Sequence, residues 1–258
     1  MRRPRAVATL AILALAGLLT GCSRLGNLRV LVPALSGMER AGAGLWVEPG
    51  MPAATRADLQ REMIVTRDRL GRFYGSVESS PWVLACATKE QARALGLPGG
   101  NRAHTVGGRA ILLGPRGLAT PVLAHEWAHA ELYARLNRGV LRRVPRWFDE
   151  GLASVISEEP WHSEAHWQEI QRRGLPTPHL NELYTFRQVT DAVRAYGDTR
   201  PDSAGNMHVV YSTAAHEMRG WLARAGREGL PRLIAALNAG EAFGPAYLRL
   251  GGPAPEEP

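Results

Sequence analysis

Apolar positions along this chain alternate between strand-like runs and helix-like spacing, and the changes of pattern divide it into elements. Leu45-Trp46-Val47 reads as a short strand ended by Pro49-Gly50, and Leu59, Met63, Ile64, Leu70 and Phe73 give helical spacing to Thr55–Tyr74. Pro81–Ala87 is the next strand, Lys89–Leu95 a short helix, and Pro98-Gly99-Gly100-Asn101 a turn. Gly107-Gly108 leads into the apolar run Ala110–Leu113, stopped by Gly114-Pro115. Two helices follow. The first carries Val122, Leu123, Ala124, Ala130, Leu132, Tyr133 and Leu136, and Gly139 is its expected stop. The second opens at Pro145 with an apolar stripe of Trp147, Phe148, Leu152, Val155 and Ile156. From Val209 to about Leu250 the chain is helical, with breaks near Gly226, Gly229-Leu230-Pro231 and Gly240. Residues 23 to about 43 are rich in Gly and Leu without a clear period, which fits a tether or a first strand, and no internal repeat is visible.

Within the first of the paired helices stands His125-Glu126-Trp127-Ala128-His129, an H-E-x-x-H segment. Residues four apart on a helix differ by about 40° around the axis, so both imidazoles face one way. Two neutral imidazoles on one face are half of a tetrahedral zinc site, and Glu126 stands where a carboxylate can take a proton from a water at that site. A polar stripe on a surface helix would explain the same residues. The apolar flanks argue against it, because two His and a Glu on a largely buried helix need a reason to be there.

A third ligand is available in Pro145-Arg146-Trp147-Phe148-Asp149-Glu150-Gly151-Leu152-Ala153. Twenty residues separate His129 from Glu150, enough to end one helix, turn and bring a second back beside it. Asp149 competes with Glu150 for the role, and spacing alone does not choose between them.

H-E-x-x-H followed by W-F-x-E-G-L-A resembles the gluzincin branch of the zinc metallopeptidases, in particular the peptidase MA-like group, over roughly residues 80 to 250. The resemblance implies Zn2+ held by His125, His129 and Glu150, with Glu126 as catalytic base. On that assignment, replacing any one ligand by Ala is expected to cut zinc affinity strongly, and replacing Asp149 is not. It also implies an α+β, zincin-like fold: a small N-terminal mixed sheet with helices, the active-site helix, and a C-terminal helical lobe. Ala110–Leu113 is then expected to be the sheet edge on which an extended peptide lies. Some gluzincins place an acidic residue one turn beyond the third ligand to orient a His. Here those positions are Ala153 and Ser154, which leaves the orienting group unassigned. Gluzincins commonly add a Tyr or His donor from the helical lobe to stabilise the oxyanion. The candidates are His208, Tyr211 and His216, with Tyr211 favoured because a phenol donates without changing charge near neutral pH. Packing against the active-site helix would explain Tyr211 equally well.

A second His pair, His162 and His166, also stands four apart, but without an apolar flank or a third ligand of its own. A surface helix or loop at the rim of the active site is the expectation, and His104 is expected in a loop.

The N-terminus reads as an export signal. Met1-Arg2-Arg3-Pro4-Arg5 is basic, and the apolar stretch Ala6–Leu19 is too short for a comfortable membrane span. Leu19-Thr20-Gly21-Cys22 resembles the bacterial lipobox, which implies a lipid-modified Cys22 and attachment to a membrane of the cell envelope, facing the periplasm or exterior. An ordinary signal peptide with an incidental Cys22 is the alternative. The domain organisation expected is a signal peptide over 1–21, a tether over 22–43, one catalytic domain over 44–250 and a disordered tail over 251–258. Cys86 is the only other cysteine and sits in the apolar run Trp82–Ala87, so it reads as a small core residue and no disulfide framework is expected.

The formal net charge of +7 falls to +4 once Arg2, Arg3 and Arg5 leave with the signal. Lys89 is the sole lysine; no run of basic residues is interleaved with stacking aromatics, and the short pairs Arg142-Arg143 and Arg172-Arg173 read as solvated faces, so nucleic-acid binding is not expected. The function expected is zinc-dependent hydrolysis of a peptide or protein substrate in the cell envelope. The alternatives are a non-catalytic lipoprotein that binds a protein partner, and hydrolysis of a non-peptide amide. Glu126 favours chemistry, since a structural metal site has no use for a buried free carboxylate beside the ion.

Overall fold

A computed structural model describes residues 29–98, 101–118, 121–196 and 207–251. Cys22, the apolar stretch before it and residues 252–258 lie outside the described residues.

Five strands form one mixed sheet: β1 (Glu39–Gly42), β2 (Leu45–Val47), β3 (Trp82–Ala85), β4 (Ala103–Val106) and β5 (Ala110–Leu113), in the spatial order β1-β2-β3-β5-β4. β2, β3 and β5 run parallel, while β1 and β4 close the two sides antiparallel. The sheet therefore begins ahead of residue 44, inside the stretch read as tether or first strand. Ala110–Leu113 is a strand as expected, but it is interior. The edge beyond it is Ala103–Val106, which also takes His104 out of the expected loop. Local sequence pattern announces a strand and says nothing of its neighbours. The hairpin joining β4 to β5 turns through Gly107 and Gly108 at φ +55° and +71°, a left-handed pair that side chains resist.

Alternate residues of the sheet enter two cores. Leu45, Val47, Val83, Ala85, Ile111 and Leu113 face the main core. Leu84, Cys86, Ala110 and Leu112 face a smaller one, closed by Met38, Leu95 and Leu97 and flanked by helix α2 (Lys89–Ala94). Burial in this smaller core pushes the Cys86 thiol up to about 12, as befits an inert core residue.

On the main-core side lie α1 (Ala53–Tyr74) and α3 (Val122–Arg135), the latter carrying the H-E-x-x-H segment. α3 ends at Arg135, ahead of Gly139. Asn238 takes over the stop: its Nδ2 donates to the Arg135 carbonyl at 2.7 Å, and its Oδ1 accepts from the Asn137 N–H at 2.8 Å. The back of α3 is pinned by Glu131, which is fully buried. Its carboxylate accepts from the N–H of Glu78 (2.9 Å), the N–H and Oγ of Ser79 (2.8 and 2.6 Å) and Arg135 Nε (2.7 Å).

A helical lobe completes the fold: α4 (Arg146–Ser157), α5 (Glu164–Arg172), α6 (Phe186–Ala195), α7 (Met207–Ala225), α8 (Gly229–Asn238) and α9 (Phe243–Gly251). α4 lies between α3 and α7. Its contact with α7 is close enough to demand glycine: a Cβ on Gly151 would stand 2.4 Å from the Ala214 carbonyl oxygen. The start of α4 is braced by rings from the lobe. Phe148 meets Phe243 at 5.2 Å, Trp147 meets Tyr247 at 5.4 Å, and Tyr247 stacks on Trp221 at 5.1 Å. The C-terminal helices thereby fix the orientation of the helix that carries Glu150.

A candidate metal centre between two helices

His125 and His129 project from one face of α3, their rings 4.9 Å apart and nearly perpendicular at 83°. Across from them α4 presents Glu150, whose Oε2 lies 3.2 Å from His125 Nε2 and 3.5 Å from His129 Nε2. These three side chains could hold a metal ion, and no second such group exists among the described residues. The separations fit. Donors about 2.0–2.1 Å from a tetrahedral centre stand ~3.3 Å apart, so the Oε2–Nε2 gaps have the length of tetrahedral edges.

Asp149 and Glu150, which spacing left undivided, take different places in the structure. Both are buried, but only Glu150 points an oxygen at both imidazoles. Asp149 does something else. Its Oδ1 lies 2.6 Å from His129 Nδ1, which makes that nitrogen an N–H donor and turns Nε2 towards Glu150. Its Oδ2 accepts from the Tyr133 hydroxyl at 2.9 Å and from Arg146. A carboxylate that orients a His, absent at Ala153 and Ser154, is thus present at Asp149, the residue just before Glu150. Asp149 is thus in direct contact with one of the three candidate ligands, a contact the sequence did not disclose.

Charge in the site is balanced. Burial disfavours a charged His129, but Asp149 and Glu150 outweigh it and lift the imidazole to about 10. Burial likewise pushes the Glu150 carboxyl up, while Arg146 and the two histidines hold it well below the ordinary carboxylate range.

Glu126 is partly exposed beside these groups and is held by strand β4. Thr105 Oγ1 lies 2.6 Å from Glu126 Oε2 and 2.8 Å from the Glu126 carbonyl oxygen. The sheet edge and the carboxylate are therefore tied together by one hydroxyl.

Among the three lobe candidates the structure separates the residues clearly. Tyr211, on α7, brings its ring to 6.2 Å from that of His125, and burial together with Glu150 raises its phenol above the ordinary range. His216 is exposed on another side, stacked on Trp167 at 4.7 Å with Nδ1 3.0 Å from Glu164. His208 sits among Trp161, His162 and His166, at ring distances of 5.4, 5.7 and 5.9 Å.

His162 and His166 do not share a helix. Pro160–His162 is a 3-10 turn, and Ser163 then caps α5 by accepting from the His166 N–H at 3.2 Å. The sequence carries that signal, since Ser163-Glu164 before a helical stretch is an N-terminal start. His162 is buried at the inner end of this cluster, stacked on Tyr211 at 5.5 Å and 18°, so the surface placement fails for it along with the shared helix. Sequence reasoning missed Thr105, Tyr133, Arg146 and the roles of Asp149 and His162. Of these, Arg146 was the most accessible: it precedes Asp149 by three residues and Glu150 by four, the spacing of an ion pair on a helix.

Comparison with family models, with curated proteins and with solved structures yields no match.

Proposed function

We propose that this protein is a zinc metallopeptidase with a zincin-like fold, lipid-anchored through Cys22 in a bacterial cell envelope. The observation that carries the reading is the approach of Glu150 Oε2 to both imidazoles, 3.2 Å from His125 Nε2 and 3.5 Å from His129 Nε2, with Glu126 next to His125 on the helix that carries both histidines. A bound zinc ion would supply Lewis acidity towards a water and a scissile carbonyl.

Each residue then has a task. His129 is locked in its tautomer by Asp149, and Glu150 is held across from both rings by α4. Glu126 takes the proton of the attacking water and delivers it to the leaving amine, while Thr105 fixes its carboxylate against the sheet edge. The edge strand β4 offers main-chain groups to which an extended peptide can pair, so the substrate lies alongside the base. Tyr211 donates a hydrogen bond to the developing oxyanion.

Two measurements on the purified protein test the reading. Metal analysis should find one zinc per chain, lost in Glu150→Ala. A peptide-library digest should show cleavage by the wild type and none by Glu126→Gln, which keeps its zinc. A metal-free wild type, or a Glu126→Gln variant as active as wild type, defeats the proposal. The anchor has its own check: mass spectrometry of the native N-terminus should find acylated Cys22, and an unmodified chain beginning elsewhere removes the anchor without touching the chemistry.

A further inference from the structure

Arg146 opens α4 and places its guanidinium between the two carboxylates one turn on. Nη1 pairs with Asp149 Oδ2 and donates to the Tyr133 hydroxyl at 3.0 Å, while Nη2 lies 2.6 Å from Glu150 Oε1. This is not an ordinary surface pair. The Arg146 side chain is 24% exposed against 6% for each carboxylate, its Nε is buried without a hydrogen-bond partner, and the Phe186 ring covers it at 6.0 Å.

The pattern of oxygens is what matters. Each carboxylate is divided: one oxygen faces Arg146 and the other faces histidine nitrogen. Asp149 gives Oδ2 to Arg146 and Oδ1 to His129 Nδ1. Glu150 gives Oε1 to Arg146 and keeps Oε2 towards both Nε2 atoms. A carboxylate left to itself can bind a metal through one oxygen or two, and a rigid fork already engaged with one of them removes the choice. The same guanidinium draws electron density from the oxygen that remains, which weakens it as a donor. Formal charge agrees as well: one guanidinium and a divalent ion balance Asp149, Glu150 and Glu126.

We infer that Arg146 is a positioning residue that holds Glu150 as a one-oxygen metal ligand and so keeps a coordination position open for water and substrate. The inference rests on the metal reading given above and goes beyond it, since that reading needs only that Glu150 be a ligand.

Cobalt(II) is the probe, because its visible absorption is strong in four-coordinate and weak in five-coordinate surroundings. The full-length protein is loaded with Co(II) as wild type, Arg146→Met and Arg146→Lys. The wild type should bind one equivalent with strong absorption. Both variants should keep the equivalent and lose most of the absorption, as Glu150 closes on the ion with both oxygens. Arg146→Lys retains the charge without the two-pronged geometry, so it carries the test should Arg146→Met fail to fold. Wild-type absorption in a folded variant overturns the role of Arg146 and leaves the metal reading standing. Loss of Co(II) from folded Arg146→Lys also overturns it, because the fork would then be a condition of binding and not of denticity. A wild type that takes up no Co(II) overturns both, which distinguishes the two failures.

Discussion

Asp149 Oδ1 stands 2.6 Å from His129 Nδ1, and this one contact decides which nitrogen of His129 faces Glu150. A carboxylate in that position fixes the ring and makes it a better donor. Asp149→Asn keeps the shape, but its amide can present NH2 to the ring and invert the tautomer. Zinc affinity is expected to fall about 10–100-fold, the usual cost of losing such a partner. Competition with a chromophoric chelator measures it, with Glu150→Ala as the reference for loss of a ligand. Affinity equal to wild type in Asp149→Asn would reduce the contact to a packing feature.

What the sequence disclosed and what it withheld divide along locality. The shared face of His125 and His129 follows from a spacing of four within one helix, and the structure has it. The interior run Ala110–Leu113 was visible as a strand because its four residues are all apolar, yet its place between β3 and β4 depends on chain crossings that no local pattern encodes. Asp149 and Glu150 were inseparable because neighbours on a helix differ by ~100° and both can border one site. The rotation of α4 separates them, and that rotation is set by distant groups: Ala214 against Gly151, and the rings of Phe243 and Tyr247 against Phe148 and Trp147.

Gly151 should therefore be intolerant of any side chain. A Cβ would press to 2.4 Å from the Ala214 carbonyl oxygen and 3.3 Å from Met218 Cβ, so α4 and α7 must separate. Gly→Ala within a helix ordinarily stabilises by about 1 kcal/mol, whereas overpacking of this kind costs about 1–3 kcal/mol, so the balance here is destabilising. For a domain of this size each kcal/mol lost lowers the melting temperature by about 2–4 °C. Thermal unfolding of Gly151→Ala checks the sign. A melting temperature above wild type would mean that the two helices are less tightly fixed than the packing indicates.

Acid stability should depend on Glu131. Burial alone would raise its pKa, but the N–H groups of Glu78 and Ser79, the Ser79 hydroxyl and Arg135 together lower it. A carboxyl depressed in the folded state contributes stability above its unfolded pKa of about 4.3, and that contribution disappears as pH falls through the lower folded value. Glu131→Gln removes the charge-assisted part, at a cost of roughly 1.5–3 kcal/mol near neutral pH. Urea unfolding at pH 7, and at steps below pH 5, should show the gap between wild type and variant closing as the solution is acidified. A gap independent of pH would place the loss in packing and not in ionisation.

Tyr211 carries the prediction closest to catalysis. Its ring lies against His125 on one side and stacks on His162 on the other, so Tyr211→Phe keeps both ring contacts and removes only the hydroxyl. If the phenol donates to the oxyanion, kcat should fall about 10²–10³-fold, as it does when one such donor is lost, with zinc content and melting temperature unchanged. If kcat is unaffected, Tyr211 is a spacer between two histidines and the donor must be sought nearby. The structure then narrows the search. His216 is occupied with Glu164 and Trp167 away from the metal centre, and His208 lies behind His162 in the ring cluster. His162 is the next group in line, buried against Tyr211 with no hydrogen-bond partner at Nδ1, and His162→Phe would be the variant to follow.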